Sequence, residues 1–91
     1  MTSMKLPGLS GLRVAVTAGA GGIGFCIARG LIQQGARVAI CDVDKMSLDA
    51  AAEELGVEVA TVADVSDEAQ VADFFAAIKT KLGGLDVFFF F

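Results

Sequence analysis

The chain of 91 residues has no histidine, no tyrosine and no tryptophan, one proline and two cysteines. Without histidine, and without a Cys-x-x-Cys pair, the usual ligand sets for zinc are missing. Cys26 and Cys41 are isolated in sequence, on an expected helix and an expected strand. With no export signal they read as free structural thiols, both buried in apolar surroundings, rather than as a disulfide. Basic residues are scarce too: seven Lys and Arg against eleven Asp and Glu leave a net charge of −4. That balance excludes the cationic face on which nucleic-acid binding depends. Hydrophobic residues make up 55% of the chain, yet no apolar run is long enough to span a bilayer. The opening Met1-Thr2-Ser3-Met4-Lys5-Leu6-Pro7-Gly8 lacks the uninterrupted apolar stretch of a signal peptide, because Pro7, Gly8, Gly11 and Arg13 break it. A cytoplasmic location, with neither a membrane nor a nucleic acid as partner, is the expectation.

What the chain does have is glycine in one particular place. Val16-Thr17-Ala18-Gly19-Ala20-Gly21-Gly22-Ile23-Gly24 lies between an apolar, β-branched run and a helix pattern. Leu12-Arg13-Val14-Ala15-Val16-Thr17 reads as a strand buried on both faces of a parallel sheet. Residues 22–34 carry Ile23, Ile27, Leu31 and Ile32 at helical spacing, and Gly35 supplies the stop. Arg37-Val38-Ala39-Ile40-Cys41-Asp42 is a second buried strand that ends in a carboxylate. A glycine-rich turn counts as a dinucleotide cradle only in this context of strand, turn, helix and closing acid.

The chemistry accounts for the residue types. A pyrophosphate must approach backbone N–H groups, and a Cβ at the closest points would hold it away. The helix starting near Gly22 adds free N–H groups and the positive end of its dipole, worth roughly 0.3–1 kcal/mol per anionic charge. Asp42 then accepts from the adenosine ribose hydroxyls and repels a 2′-phosphate, so NAD is expected over NADP. Lys45 would partly offset that repulsion, and Asp44 opposes the offset.

On these residues the chain resembles the amino-terminal part of a short-chain dehydrogenase/reductase, whose fingerprint is T-G-x-x-x-G-x-G. Here it stands as Thr17-Ala18-Gly19-Ala20-Gly21-Gly22-Ile23-Gly24, with Ala18 in place of the first glycine. Gly21 and Gly24 also fit the spacing of the extended, epimerase-like branch, but Gly22-Ile23-Gly24 matches the ordinary branch better. Two more landmarks agree. A third strand in Val57-Glu58-Val59-Ala60-Thr61-Val62-Ala63-Asp64-Val65 ends in Asp-Val; the resemblance places Asp64 near the adenine amine and Val65 along the ring. Gly83-Gly84-Leu85-Asp86-Val87 leads into a fourth strand, with Asp86 read as an ordinary turn acid. Where the family continues Asn-Asn-Ala-Gly, this chain reads Phe88-Phe89-Phe90-Phe91. The resemblance implies cofactor contacts from Ala18, Ala20, Gly21, Gly22, Ile23, Gly24, Asp42, Asp64 and Val65. It implies a small alcohol or carbonyl as substrate of the full-length family, with a catalytic serine, tyrosine and lysine beyond the fourth strand. No catalytic residue is assigned within this chain.

The expected architecture over residues 1–91 is α/β: a partial, doubly wound Rossmann sheet running β-α-β-α-β-α-β, with helices over 45–55 and 67–82. Right-handed crossovers order the strands 3-2-1-4. Asp44 caps the second helix, and Ser66, Asp67 and Glu68 start the third, whose inward stripe is Val71, Phe74, Phe75, Ile78 and Leu82. Asp49, Glu53, Glu54 and Asp73 read as solvated helix faces. The fourth strand is an open, phenylalanine-rich edge through which copies could associate. Two alternatives stand beside the oxidoreductase reading: a non-catalytic remnant that binds cofactor weakly or not at all, and a methyltransferase-like fold for S-adenosylmethionine. The latter usually has an acid just before its glycines, where this chain has Val16-Thr17.

Overall fold

A computed structural model describes residues 8–91, and the leader expectation for residues 1–7 lies outside them. Seven elements alternate: β1 (Arg13–Thr17), α1 (Gly22–Gln33), β2 (Arg37–Asp42), α2 (Lys45–Leu55), β3 (Val59–Val62), α3 (Glu68–Leu82) and β4 (Val87–Phe89). All pairings are parallel and the strand order is β3-β2-β1-β4, as expected. Because side chains alternate along a strand, the sheet separates two cores. Val14, Val16, Val38 and Ile40 face α1 and α2 and meet Ala28, Leu48 and Ala51. Ala15, Ala39 and Cys41 face the other way and meet Phe74, Ile78 and Leu82 of α3. Both faces of β1 and β2 are thus covered, which is why residues 14–16 and 38–41 are continuously apolar.

The helix ends follow from local chemistry. Asp44 accepts from the N–H groups of Met46 and Ser47 at the start of α2, and Asp67 from those of Ala69 and Gln70 at the start of α3. Gly35, at φ 93°, closes α1: its N–H donates to the Ile32 carbonyl, and the Ala36 N–H to that of Leu31, the paired bonds of a Schellman stop. Gly56 and Gly83 end α2 and α3 in the same left-handed conformation.

Three expectations need correction. Cys26 is exposed, whereas Cys41 is buried. On α1 the buried positions are Gly24 and Ala28; a residue two positions from each lies about 200° around the helix, on the outer side. Ile23 is 70% exposed and lies outside the inward stripe its spacing suggests, whereas Ile27, Leu31 and Ile32 pack against the core. The third strand stops at Val62, before Asp64 and Val65. The Asp64 carboxylate turns the chain there, taking the Ser66 N–H at 2.9 Å and the Ser66 hydroxyl at 2.7 Å through Oδ1.

Asp86 is more than a turn acid. Its Oδ2 accepts from Arg13 N and Nε at 2.9 and 3.0 Å, its Oδ1 accepts from Arg13 Nη2 at 3.0 Å, and its own N–H donates to the Arg13 carbonyl at 2.9 Å. This two-pronged clamp sets β4 in register beside β1. Hydrogen bonding to Arg13 holds the Asp86 carboxyl down at about 2.

Candidate dinucleotide-binding site

The turn between β1 and α1 is shaped by four glycines and one alanine, each under a different constraint. Gly19 is buried against β2: its N–H donates to the Cys41 carbonyl at 3.1 Å, and a Cβ there would sit 2.6 Å from the Ile40 side chain. Gly24 lies where α1 crosses the end of β1, and a Cβ would run into the Ala18 carbonyl oxygen and come within 3.1 Å of that of Thr17. Gly22 has φ 57°, a left-handed conformation that favours glycine. Gly21 meets none of these demands. It is extended, with φ −166°, and a Cβ would have nothing within 4 Å. Ala18 is the one described non-glycine residue at positive φ, 52°, so it takes the backbone shape of the fingerprint glycine it replaces.

The start of α1 is chemically open. Asp44 and Asp67 cap the other two helices, whereas Gly21 offers no side chain and the first turn of α1 carries no acid. Its leading N–H groups and the positive end of its dipole therefore face outward beside a glycine with space around it. This arrangement suits an anion such as a pyrophosphate.

Two strand-end acids come to the same edge of the sheet. Asp42 Oδ2 accepts from the Ala20 N–H at 3.2 Å, and Oδ1 from the Val43 N–H at 2.7 Å, so the carboxylate ties the glycine turn to β2. Oδ1 also takes the Asp44 N–H at 3.4 Å, so of about four acceptor positions on the two oxygens one is left for a ligand hydroxyl. Asp64 faces the same space, its carboxyl held below the usual range by the Ser66 hydrogen bonds. A hollow of about 120 Å³ is lined by Ala18, Asp42, Asp64, Val65 and Phe91, with Val43 and Ala63. Lys45, at the start of α2, pairs with Asp49 at 2.7 Å, which directs its charge along α2. Among the described residues, no three His, Cys, Asp or Glu side chains are grouped to hold a metal.

Of the sequence-derived site residues, Ala18, Asp42, Asp64 and Val65 line this hollow. Ala20 and Gly21 line a larger one beside it, about 410 Å³, between the glycine turn and α2. Gly22, Ile23 and Gly24 line neither and form the open helix start. Sequence reasoning missed Val43 and Ala63, which follow or precede the two acids in sequence, and Phe91. It also missed the role of the buried Thr17, whose hydroxyl accepts the Phe91 N–H at 2.7 Å and so fixes the chain beyond β4 against β1. Burial in apolar surroundings pushes the Cys41 thiol up to about 11, which leaves it an inert part of the core.

Comparison with known proteins agrees with this geometry. Residues 17–90 match a family model described as enoyl-(acyl carrier protein) reductase. A short chain dehydrogenase/reductase of Colletotrichum higginsianum is 37% identical over 84 residues, covering 88% of this chain and 31% of the relative. Gluconate 5-dehydrogenase of Gluconobacter oxydans is 38% identical over 91 residues, covering 96% and 36%. The crystal structure of a 3-ketoacyl-(acyl-carrier-protein) reductase from Brucella melitensis, complexed with NADH, superposes with a TM-score of 0.83 at 33% identity, over 88% of this chain and 34% of that one. The chain thus spans about a third of the length of these relatives. Neither the methyltransferase-like alternative nor the remnant is favoured by these likenesses. Fold, glycine turn, strand-end acids and family match converge: the chain belongs to the short-chain dehydrogenase/reductase family and corresponds to its amino-terminal, nucleotide-binding portion.

Proposed function

We propose that the chain binds NAD, in preference to NADP, as the cofactor-binding part of an oxidoreductase acting on an alcohol or carbonyl. The observation that carries this reading is Gly21: neither its backbone conformation nor its packing calls for glycine, yet it stands at the uncapped start of α1, where a bound pyrophosphate would need room. The N–H groups around Gly21, Gly22 and Ile23 would hold that pyrophosphate. Asp42 would accept a ribose hydroxyl of the adenosine half, and Asp64 and Val65 would flank the base. The chemistry the cofactor supplies is hydride transfer. This chain's residues bind and orient, and none of them is assigned a proton-transfer role.

Selectivity against NADP comes from charge. A 2′-phosphate near Asp42 would set like charges about 4 Å apart, a cost of up to about 4 kcal/mol at an effective dielectric near 20; about 1.4 kcal/mol already makes a tenfold difference in affinity. Lys45, engaged with Asp49, does little to relieve it. Calorimetric titration with NAD and NADP tests the reading. NAD is expected to bind at least tenfold tighter, and D42S to narrow the gap. Equal affinities in the parent chain would refute the assignment of Asp42, and no binding of either would refute the function.

A further inference from the structure

We infer that β4 is an interface between two copies of this chain, paired antiparallel about a two-fold axis at Phe89, so that Phe88 of each copy faces Phe90 of the other. The inference is independent of the cofactor reading. In the order β3-β2-β1-β4, β4 is hydrogen-bonded on one side only, to β1. Its other side presents backbone groups that have no strand partner among the described residues. The helices lie over β1, β2 and β3, and β4 packs chiefly on β1. Edge strands are commonly protected by charge, by proline or by a covering element; residues 87–91 contain neither a charged residue nor a proline. The carboxylate just before them, Asp86, is paired with Arg13. The edge is therefore both apolar and without net charge.

The exposed rings select a like copy as the partner. Phe88 lies beside Ala15, on the α3 face of the sheet. It is 39% exposed, and Phe90 is 64% exposed. The two rings meet edge to face with centroids 6.0 Å apart, and Phe88 meets Phe75 of α3 in the same way at 5.3 Å. This ladder is open at Phe90. A two-fold axis normal to the sheet at Phe89 sets the residues one step to either side opposite each other, on the same face, and so makes two Phe88 to Phe90 pairs at once. Aromatic pairs directly across two strands are a favourable combination. Charge agrees: each copy carries −4, so two copies approach with least repulsion through an edge that has none. Area sets the strength. The exposed parts of Phe88 and Phe90 amount to about one whole phenylalanine, roughly 150–250 Å² on each copy. Even with the strand backbone added, a patch of this size falls under the roughly 1,200 Å² at which stable interfaces begin. The dimer is accordingly weak and concentration-dependent.

Sedimentation equilibrium and amide exchange test this. The parent is expected to pass from monomer to dimer mass between about 10 μM and 1 mM, the range of weak association, and to level off there. Added salt is expected to shift the equilibrium toward the dimer, because it screens two like-charged copies. At high concentration the amides of residues 87–90 should exchange severalfold more slowly than in dilute solution, with β3, at the far edge of the sheet, unchanged. F90K sets a charge opposite Phe88 of the partner copy, at a ring that is mostly exposed. It is expected to stay monomeric throughout, with its urea midpoint at the parent value. A parent that is monomeric at about 1 mM, or that grows past the dimer without levelling, overturns the inference. So does F90K dimerising like the parent, or exchange that slows elsewhere and not at β4. Should F90K prove destabilised, the exchange map of the parent decides the matter, since it needs no variant.

Discussion

Two alanine substitutions three residues apart should separate what the glycine turn does for the fold from what it does for a ligand. In G24A the new methyl would collide with the Ala18 carbonyl oxygen, lie 2.9 Å from its carbon and 3.1 Å from the Thr17 oxygen. All three atoms are backbone, so no rotamer change relieves the contact. Ordinary contact begins at 3.4 Å, so α1 must move off the end of β1 by about half an ångström or more. Such overpacking typically costs about 1–3 kcal/mol. A helix interior prefers alanine to glycine by about 0.5–1 kcal/mol, which offsets only part of that. In G21A the methyl meets nothing within 4 Å on an extended backbone, and the stability change should stay within about 0.5 kcal/mol. Its methyl would instead stand in the space proposed for the pyrophosphate. Urea denaturation gives the first quantity and calorimetric titration with NAD the second. G24A is expected to lower the midpoint at unchanged slope, and G21A to keep the midpoint and lose at least tenfold in affinity. The reasoning is refuted if G24A is as stable as the parent, or if G21A binds NAD normally.

Three further outcomes follow from particular residues. Asp86 has its carboxyl lowered from its ordinary 3.8 to about 2 by Arg13; a depressed folded value stabilises the fold above pH 4, and the contribution is lost as pH falls from about 4 to 2. The stability gap between the parent and D86N, measured by denaturation at each pH, should therefore shrink over that window, and a constant gap would contradict the clamp. Ala18 sits at φ 52°, which costs an L-residue about 1–2 kcal/mol, so A18G should raise stability by about 0.5–1 kcal/mol after the added unfolded-state entropy; a fall in stability would show that the methyl makes a contact the geometry does not. Cys26 should alkylate in the native chain while Cys41, buried with its thiol near 11, reacts only on unfolding, a difference read by mass spectrometry of the labelled peptides.

Much of the architecture was legible because it follows from periodicity and stops. The runs through Val14 and Ile40 are apolar at every position, so they must be covered on both faces, and parallel strands with right-handed crossovers then leave few orders. Asp44, Gly35 and Asp67 act at positions where side-chain chemistry alone closes or starts a helix. The exposure of Cys26 was not legible, since its neighbours in sequence are apolar and the burial of α1 runs through Gly24 and Ala28 instead. Nor was the clamp of Asp86 on Arg13, which joins residues 73 positions apart and exists only once β4 lies beside β1. The site divides in the same way. Asp42 and Asp64 could be read from strand ends, whereas Phe91 enters the hollow through a tertiary contact with Thr17.

The fingerprint's glycines do different work, and this changes how the motif should be read as a predictor of binding. Gly19 and Gly24 are required by neighbouring atoms, and Gly22 by its backbone conformation. A sequence that kept those three for folding alone would still look like a cofactor site. Ala18 makes the converse point: the left-handed conformation at 52° persists without the glycine that usually supplies it, because the turn is fixed on both sides. The Gly19 N–H is held by the Cys41 carbonyl, and the Ala20 N–H by the Asp42 carboxylate. Asp42 therefore both builds the turn and faces the proposed ribose. Replacing it should loosen the turn as well as remove a ligand contact, so selectivity changes in D42S are to be read as the ratio of NAD to NADP affinity, in which the loss common to both cancels.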